Sequence, residues 1–153
     1  MTNVLTVQIR PRIGEREQNF AKVRAIIEQY RDKKPDLILM SEFFNTGISR
    51  PAFERLAEEE SLSPTLEYFS KVAKEYNTYV LCGSIIEKDG EKLYNTSYLL
   101  NRGGEKVAKY RKINLFNYFG GTEGEYVTPG EEIVVVECRT KPNVEFFIVS
   151  PVE

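Results

Sequence analysis

A chain without histidine must do its acid–base chemistry with other side chains. These 153 residues contain no histidine, so neither a Ser-His-Asp nor a Cys-His arrangement can form within them. The two cysteines, Cys82 and Cys138, lie too far apart to close a zinc site of the usual kind. Glu, Asp, Lys and Tyr remain. Glu42 follows the apolar run Leu37-Ile-Leu-Met40, and α/β folds gather functional groups just past the C-terminal ends of strands. Phe43 and Phe44 beside it can partly desolvate the carboxylate. Burial would then raise its pKa and suit it to carrying a proton. The plain alternative is a solvated loop acid or a helix cap. Lys112 closes the basic run Lys109-Tyr-Arg-Lys112, which read by position alone is a solvated face. Glu123 sits in Gly120-Gly-Thr-Glu-Gly124, a flexible segment where backbone can approach closely; its plain alternative is a polar loop acid. Cys82 and Cys138 both fall in apolar, strand-like surroundings, where a buried thiol has a raised pKa and is inert. They read as structural cysteines.

These residues need a scaffold, and the apolar pattern predicts one. Leu5 to Ile9 reads as a strand. A helix over about 17–31 presents Phe20, Val23, Ile27 and Tyr30 on one face. Asp36 to Met40 is apolar at consecutive positions, as in a strand buried on both faces. The opening is therefore strand–helix–strand. Ser49-Arg-Pro51 and Ser63-Pro64 both mark helix starts with proline in the first turn. The second helix carries Leu66, Phe69, Ala73 and Tyr76 on one face and stops at Asn77. Thr78 to Ile86 is a strand, Asp89-Gly90 a hairpin turn, and Asn95 to Asn101 the returning strand. A short strand near Lys106 to Tyr110 and a polar loop over about 114–129 follow. Ile133 to Cys138 and Val144 to Val149 are the last strands. The whole reads as one α/β unit with a mixed sheet.

Composition sets the outer limits. Hydrophobic residues make up 41% and charged residues 29%, a globular balance. The net charge of −2 comes from interspersed acids and bases, so no basic stripe points to nucleic acid. The apolar runs are far shorter than the roughly 20 residues of a membrane span. The N-terminus lacks a signal-peptide pattern, and the cysteine usage fits a reducing, cytoplasmic setting. Asn95-Thr-Ser97 matches a glycosylation sequon that a cytoplasmic chain would not use.

Several segments, in order, resemble the nitrilase superfamily of carbon–nitrogen hydrolases. Leu5-Thr-Val-Gln-Ile9 with Gly14 and Asn19 resembles the family's first strand and helix. Pro35-Asp-Leu-Ile-Leu-Met-Ser-Glu42-Phe-Phe-Asn-Thr-Gly47 is similar to the block around its catalytic glutamate. Tyr79-Val-Leu-Cys-Gly-Ser-Ile-Ile86 and Tyr94-Asn-Thr-Ser97 match the next pair of strands. Lys109-Tyr-Arg-Lys112-Ile-Asn-Leu-Phe116 resembles the catalytic-lysine block. Glu123, ahead of Pro129-Gly130, matches the second, assisting glutamate, with Glu125 as the alternative. The resemblance runs from about residue 4 to 138. It implies the N-terminal part of a four-layer αββα sandwich, left incomplete, in a partial domain over 1–153. It also implies a Glu–Lys–Cys mechanism on small amides or nitriles, with no metal or organic cofactor, and assembly as a homo-oligomer. Glu42 would be the base, Lys112 would hold the oxyanion, and Glu123 would orient Lys112 or the water.

Two departures qualify this. Ser41 stands where the family usually has proline. The family's nucleophile follows a hydrophobic strand after the Pro-Gly turn. Here that strand is Phe146-Phe-Ile-Val149 and the next residue is Ser150, whose hydroxyl is far harder to deprotonate than a thiol. From Glu137 the resemblance fades, and Pro151-Val-Glu153 lacks the family's aromatic–acidic continuation, as expected of a truncated or frameshifted reading frame. The chain alone is then expected to be inactive. The second reading is a non-catalytic fragment or subunit that associates with a partner chain. An unrelated nucleotide-binding module is disfavoured, because Gly14 stands alone after the first strand and makes no phosphate loop.

Overall fold

The computed structural model describes residues 2–117, 121–140 and 144–149. Its main body is a five-stranded mixed sheet in the order β1-β2-β3-β4-β5. The strands are β1 (Val4–Val7), β2 (Leu37–Met40), β3 (Tyr79–Asp89), β4 (Lys92–Leu100) and β5 (Lys106–Arg111). β1, β2 and β3 run parallel; β4 and β5 add antiparallel. A separate two-stranded sheet pairs β6 (Val135–Thr140) antiparallel with β7 (Val144–Val149), with Cys138 opposite Phe146.

The helices are α1 (Arg16–Gln29), α2 (Arg50–Leu56) and α3 (Pro64–Tyr76). The face of α1 formed by Phe20, Val23 and Ile27 is buried as its spacing predicts, but Tyr30 is 44% exposed. The reason is that α1 ends at Gln29 and the chain continues as a 3-10 turn, so Tyr30 is a cap residue and not part of the stripe. On α3 the Ser63 hydroxyl accepts the Leu66 N–H, and Asn77 ends the helix at φ 50, the left-handed conformation that asparagine tolerates. Both helices cover one face of the sheet. Phe20, Val23 and Ile27 meet Phe69, Val72 and Ala73 over Val7, Ile38, Val80, Cys82, Tyr98 and Leu100. Phe44 joins this core, edge-on to Phe69 with ring centroids 5.4 Å apart. Each such fully buried ring contributes roughly 1.5–3 kcal/mol relative to an exposed one.

The opposite face is covered differently. Leu37 and Leu99 pack there against Cys138, with Leu39, Tyr79, Leu81, Ala108 and Val136 partly buried around them. A third cluster, Phe43, Phe53, Ile86 and Val127, ties α2 and the loop after β5 to the far end of β3.

Some boundaries differ from those the sequence predicts. β1 stops at Val7 instead of Ile9 because its partner β2 ends opposite it, at Met40. β3 runs on to Asp89, so the hairpin turn is Gly90-Glu91, with Asp89 paired to Lys92 and Gly90 at φ 59. β6 starts at Val135, and Ile133 is exposed. No helix among the described residues is long and apolar enough to cross a membrane.

Candidate active site

Glu42 leaves the end of β2 at the edge of the sheet. Phe43 and Phe44 both turn into cores, at 5% and 0% exposure. Glu42 itself stays half-exposed, its side chain 48% accessible, so any shielding by the two rings is partial. The backbone makes this split. Phe43 sits at φ 51, a left-handed conformation that costs a bulky residue free energy and needs firm support. The Phe43 N–H donates to the Ser84 carbonyl at 2.8 Å, and the Gly47 N–H to the Phe43 carbonyl at 2.8 Å. Turning at that point sends the two rings inward and Glu42 outward.

Lys112 follows β5 directly. The run Lys109-Tyr-Arg-Lys112 is not one solvated face, because strand alternation divides it. Lys109 and Arg111 bind the buried carboxylate of Glu87, with Arg111 Nη2 at 2.7 Å. Lys112 points the other way. Its Nζ lies 2.9 Å from Glu123 Oε2 and 3.3 Å from Glu42 Oε1.

Glu123 opens a short 3-10 turn, Glu123–Glu125, and is 5% exposed. It is not a solvated loop acid. Its Oε2 accepts the Phe116 N–H at 2.7 Å as well as Lys112, and its Oε1 accepts Asn95 Nδ2 at 2.7 Å. Glu125, the alternative for this place, is exposed. Burial pushes the Glu123 pKa up. The hydrogen bonds from Asn95, the Phe116 N–H and Lys112 outweigh that and hold it below the ordinary carboxylate value. At Lys112 burial works against the charge, yet the Glu123 hydrogen bond and the two carboxylates raise the pKa above the usual lysine value. Near neutral pH the pair is therefore ammonium and carboxylate.

The three predicted residues thus come together, from loops 70 and 11 positions apart in sequence. A cleft of about 370 Å³ opens beside them, lined by Met40, Leu81, Gly83, Tyr110 and Asn114 among others, with Glu42, Asn95 and Lys112 in its wall. An exposed carboxylate, an ammonium held charged and a hydrogen-bonded second carboxylate can accept a proton and stabilise an oxyanion side by side. Neither cysteine lines the cleft. Leu81 and Gly83 face the cleft, whereas Cys82 between them lies in the helix-side core at 0% exposure, and burial pushes its thiol pKa up. Cys138 packs near Leu37 and Leu99. Leu99 is four positions along β4 from Asn95, or roughly 13 Å at strand spacing. Burial raises that thiol too. Ser150 lies outside the described residues. Among the described residues no group of three or more His, Cys, Asp or Glu could hold a metal ion.

Sequence reasoning missed Asn95, whose side-chain amide touches both Glu42 and Glu123. The available signals were the polar pair Asn95-Thr96 inside an apolar strand and its place in the family-like block Tyr94-Asn-Thr-Ser97.

The carbon–nitrogen hydrolase family model matches residues 4–151. The chain belongs to the carbon–nitrogen hydrolase family. Among its relatives, the chloroplastic omega-amidase of Arabidopsis thaliana is 31% identical over 133 residues, which cover 81% of this chain and 36% of that protein. A nitrilase of Pyrococcus abyssi is 32% identical over 119 residues, covering 76% of this chain and 45% of that protein. The crystal structure of a Saccharomyces cerevisiae member of branch 10 of the nitrilase superfamily superimposes with a TM-score of 0.77 at 25% identity. That match covers 88% of this chain and 51% of the other. This carbon–nitrogen hydrolase chain therefore spans about half the length of its relatives, or less.

Proposed function

We propose that Glu42, Lys112 and Glu123 form the acid–base and electrostatic part of a site that hydrolyses small amides or nitriles, and that the nucleophilic thiol is not supplied by this chain. In the complete site a thiol would give its proton to Glu42 and attack the amide carbon. The Lys112 ammonium would hold the resulting oxyanion, a contribution worth about 3 kcal/mol. The C–N bond would then break, with Glu42 returning the proton to the departing nitrogen. Water would attack the thioester, give its proton to Glu42 and release the acid and the thiol. Glu123 would keep Lys112 charged and aimed. The observation that carries this reading is the convergence of Lys112 Nζ on Glu123 at 2.9 Å and on Glu42 at 3.3 Å at the rim of an open cleft.

The cysteines at positions 82 and 138 are both buried, and Ser150 stands at the nucleophile's place in the sequence. The purified chain should therefore release no ammonia from a panel of small amides. Turnover that disappears in Glu42→Ala would overturn the missing-thiol part of the proposal and leave Glu42's role intact.

A second reading, association with a further chain, is favoured by one observation. Leu39, Tyr79, Leu81 and Ala108 remain only partly buried on the sheet face away from the helices. A second copy of the chain is the proposed occupant. Light scattering that finds only a monomer, with no hydrophobic-dye binding, would count against it.

A further inference from the structure

The Glu42–Lys112–Glu123 group has a fourth member that carries no charge. Asn95 lies in β4 and is 2% exposed. Its Nδ2 donates to Glu42 Oε1 and to Glu123 Oε1, both at 2.7 Å. Its backbone carbonyl accepts the Lys112 N–H at 2.8 Å. One residue thus touches all three others, the two carboxylates through its side-chain nitrogen and Lys112 through its carbonyl oxygen. We propose that Asn95 is the positioning residue that sets Glu42 and Glu123 against Lys112, a role that rests on the hydrolase reading given above.

The chemistry favours an amide at this place. A primary amide has two N–H donors held in one plane, and here each goes to a different carboxylate. Two carboxylates drawn to one point repel, and each discourages the other from ionising. Lys112 alone supplies one positive charge for both. A neutral donor shared between them relieves the repulsion and has no proton of its own to lose near neutral pH. Serine would offer one donor. Aspartate would offer none when ionised and would add a third negative charge.

The sharing also matters for Lys112. An ammonium has three donors. One is used on Glu123 at 2.9 Å, and the contact to Glu42 at 3.3 Å is long. Asn95 takes the shorter bond to Glu42, so Lys112 is not drawn fully onto its carboxylate neighbours and keeps donor capacity for charge that develops on a substrate oxygen. Among the described residues, few other ionisable groups face this cluster. Tyr110 lines the same cleft from β5. Tyr126 interacts with Glu123 and Lys112 and is in turn influenced by Arg50 and Glu125.

The test reads protonation and does not need turnover. In the unmodified chain, the Asn95 side-chain amide signals in NMR should move through an acid titration as Glu123 takes up its proton. Part of that movement should vanish in Glu123→Gln. In Asn95→Leu, which keeps the shape and removes the donors, Glu123 should bind its proton about tenfold more tightly, a shift of roughly one pH unit. In Asn95→Asp the Lys112 midpoint should rise. Amide signals that stay still through the titration would overturn the proposal, and so would a Glu123 shift below about threefold in a folded Asn95→Leu. If Asn95→Leu does not fold, the titration of the unmodified chain decides alone. The two readings fail separately. Still amide signals remove the role of Asn95 and leave the hydrolase reading standing. Absence of amide hydrolysis when a chain carrying the missing thiol-bearing half is supplied in trans removes the hydrolase reading and leaves the measured coupling in place.

Discussion

Replacing Glu58 by alanine should destabilise the fold severely and loosen the loop that carries Glu42. Glu58 is 3% exposed and follows α2. Its backbone is stitched beside the far end of β3, with its N–H on the Ile86 carbonyl at 2.9 Å and its carbonyl accepting the Lys88 N–H at 2.9 Å. Its carboxylate accepts hydrogen bonds from Asn45 Nδ2 at 3.1 Å, Ser63 Oγ at 2.5 Å, the Thr65 N–H at 3.1 Å and Thr65 Oγ1 at 2.7 Å. Arg16 Nε lies 3.0 Å away, but off the hydrogen-bonding direction, so that contact is an ion pair. Removing the carboxylate leaves the Arg16 charge and buried donors from Asn45 and Thr65 facing a void. Breaking a buried charged pair from one side costs about 3–5 kcal/mol, against a total stability of about 5–15 kcal/mol for a domain. With a urea slope of about 2 kcal/mol/M, the unfolding midpoint should fall by about 2 M. Glu58→Gln keeps the shape and one acceptor, so it should lose about 2 kcal/mol. Urea unfolding followed by circular dichroism measures both, and amide exchange over residues 43–47 reports the loop. The exposed pair Lys71–Glu67 is the control: Glu67→Ala should leave the midpoint unchanged. A Glu58→Ala midpoint equal to that control would refute the structural role of the Glu58 carboxylate.

Acid should weaken the fold through two other carboxylates. At Glu87, burial raises the pKa, but hydrogen bonds from Arg111, Lys109 and Thr96 hold it below the ordinary value, and Glu123 behaves alike. Since the folded values lie below the unfolded carboxylate value of about 4.3, their stabilisation is complete above that pH and is lost as pH falls through the folded values. Urea midpoints should hold from neutrality to about pH 5 and drop below about pH 4. An identical acid profile in a Glu87→Gln, Glu123→Gln double variant would contradict this. Cys82 and Cys138 should both resist a thiol reagent in the folded chain and react fully in denaturant, since both thiols are buried with raised pKa. Rapid native labelling of Cys82 would remove the case against it as a nucleophile.

The fold was legible where apolar spacing had one interpretation. The stripe Phe20, Val23, Ile27 and the run Leu37 to Met40 predict the strand–helix–strand opening, and Ser63 and Asn77 mark both ends of α3. Lengths were less legible, because a strand ends where its partner ends: nothing in Thr6 to Ile9 announces that β2 stops at Met40. Glu42 and Lys112 were visible as residues at strand ends and through the family blocks. Their environments were not. Whether Phe43 and Phe44 shield Glu42 depends on one left-handed backbone angle. That Lys109 and Arg111 part from Lys112 was available from the period of two, once the strand was taken to extend through Arg111. Asn95 could not be read, because its value lies in contacts to residues 53 and 28 positions away.

The irregularity in β3 explains why these distant residues meet at all. β3 pairs in register with β4 at Cys82–Tyr98, then at Ile85–Thr96, so Gly83 and Ser84 together oppose a single residue. Such a bulge kinks a strand and re-aims what it carries. Here Gly83 and Ser84 both face the cleft. The Ser84 carbonyl accepts the Phe43 N–H, anchoring the Glu42 loop against β3 just after β2 has ended. Glycine at 83 keeps the path open, since a Cβ there would lie 3.1 Å from the Met40 carbonyl oxygen and 3.7 Å from Ser97 Oγ. With no side chain in between, Glu42 from β2 reaches across β3 to Asn95 on β4. Lys112, held by its N–H on the Asn95 carbonyl, arrives from β5 at the same point. A regular β3 would set β2 and β4 a full strand apart at this level, about 9–10 Å, and no Glu42–Asn95 bond of 2.7 Å would follow without the loop leaning inward over the glycine.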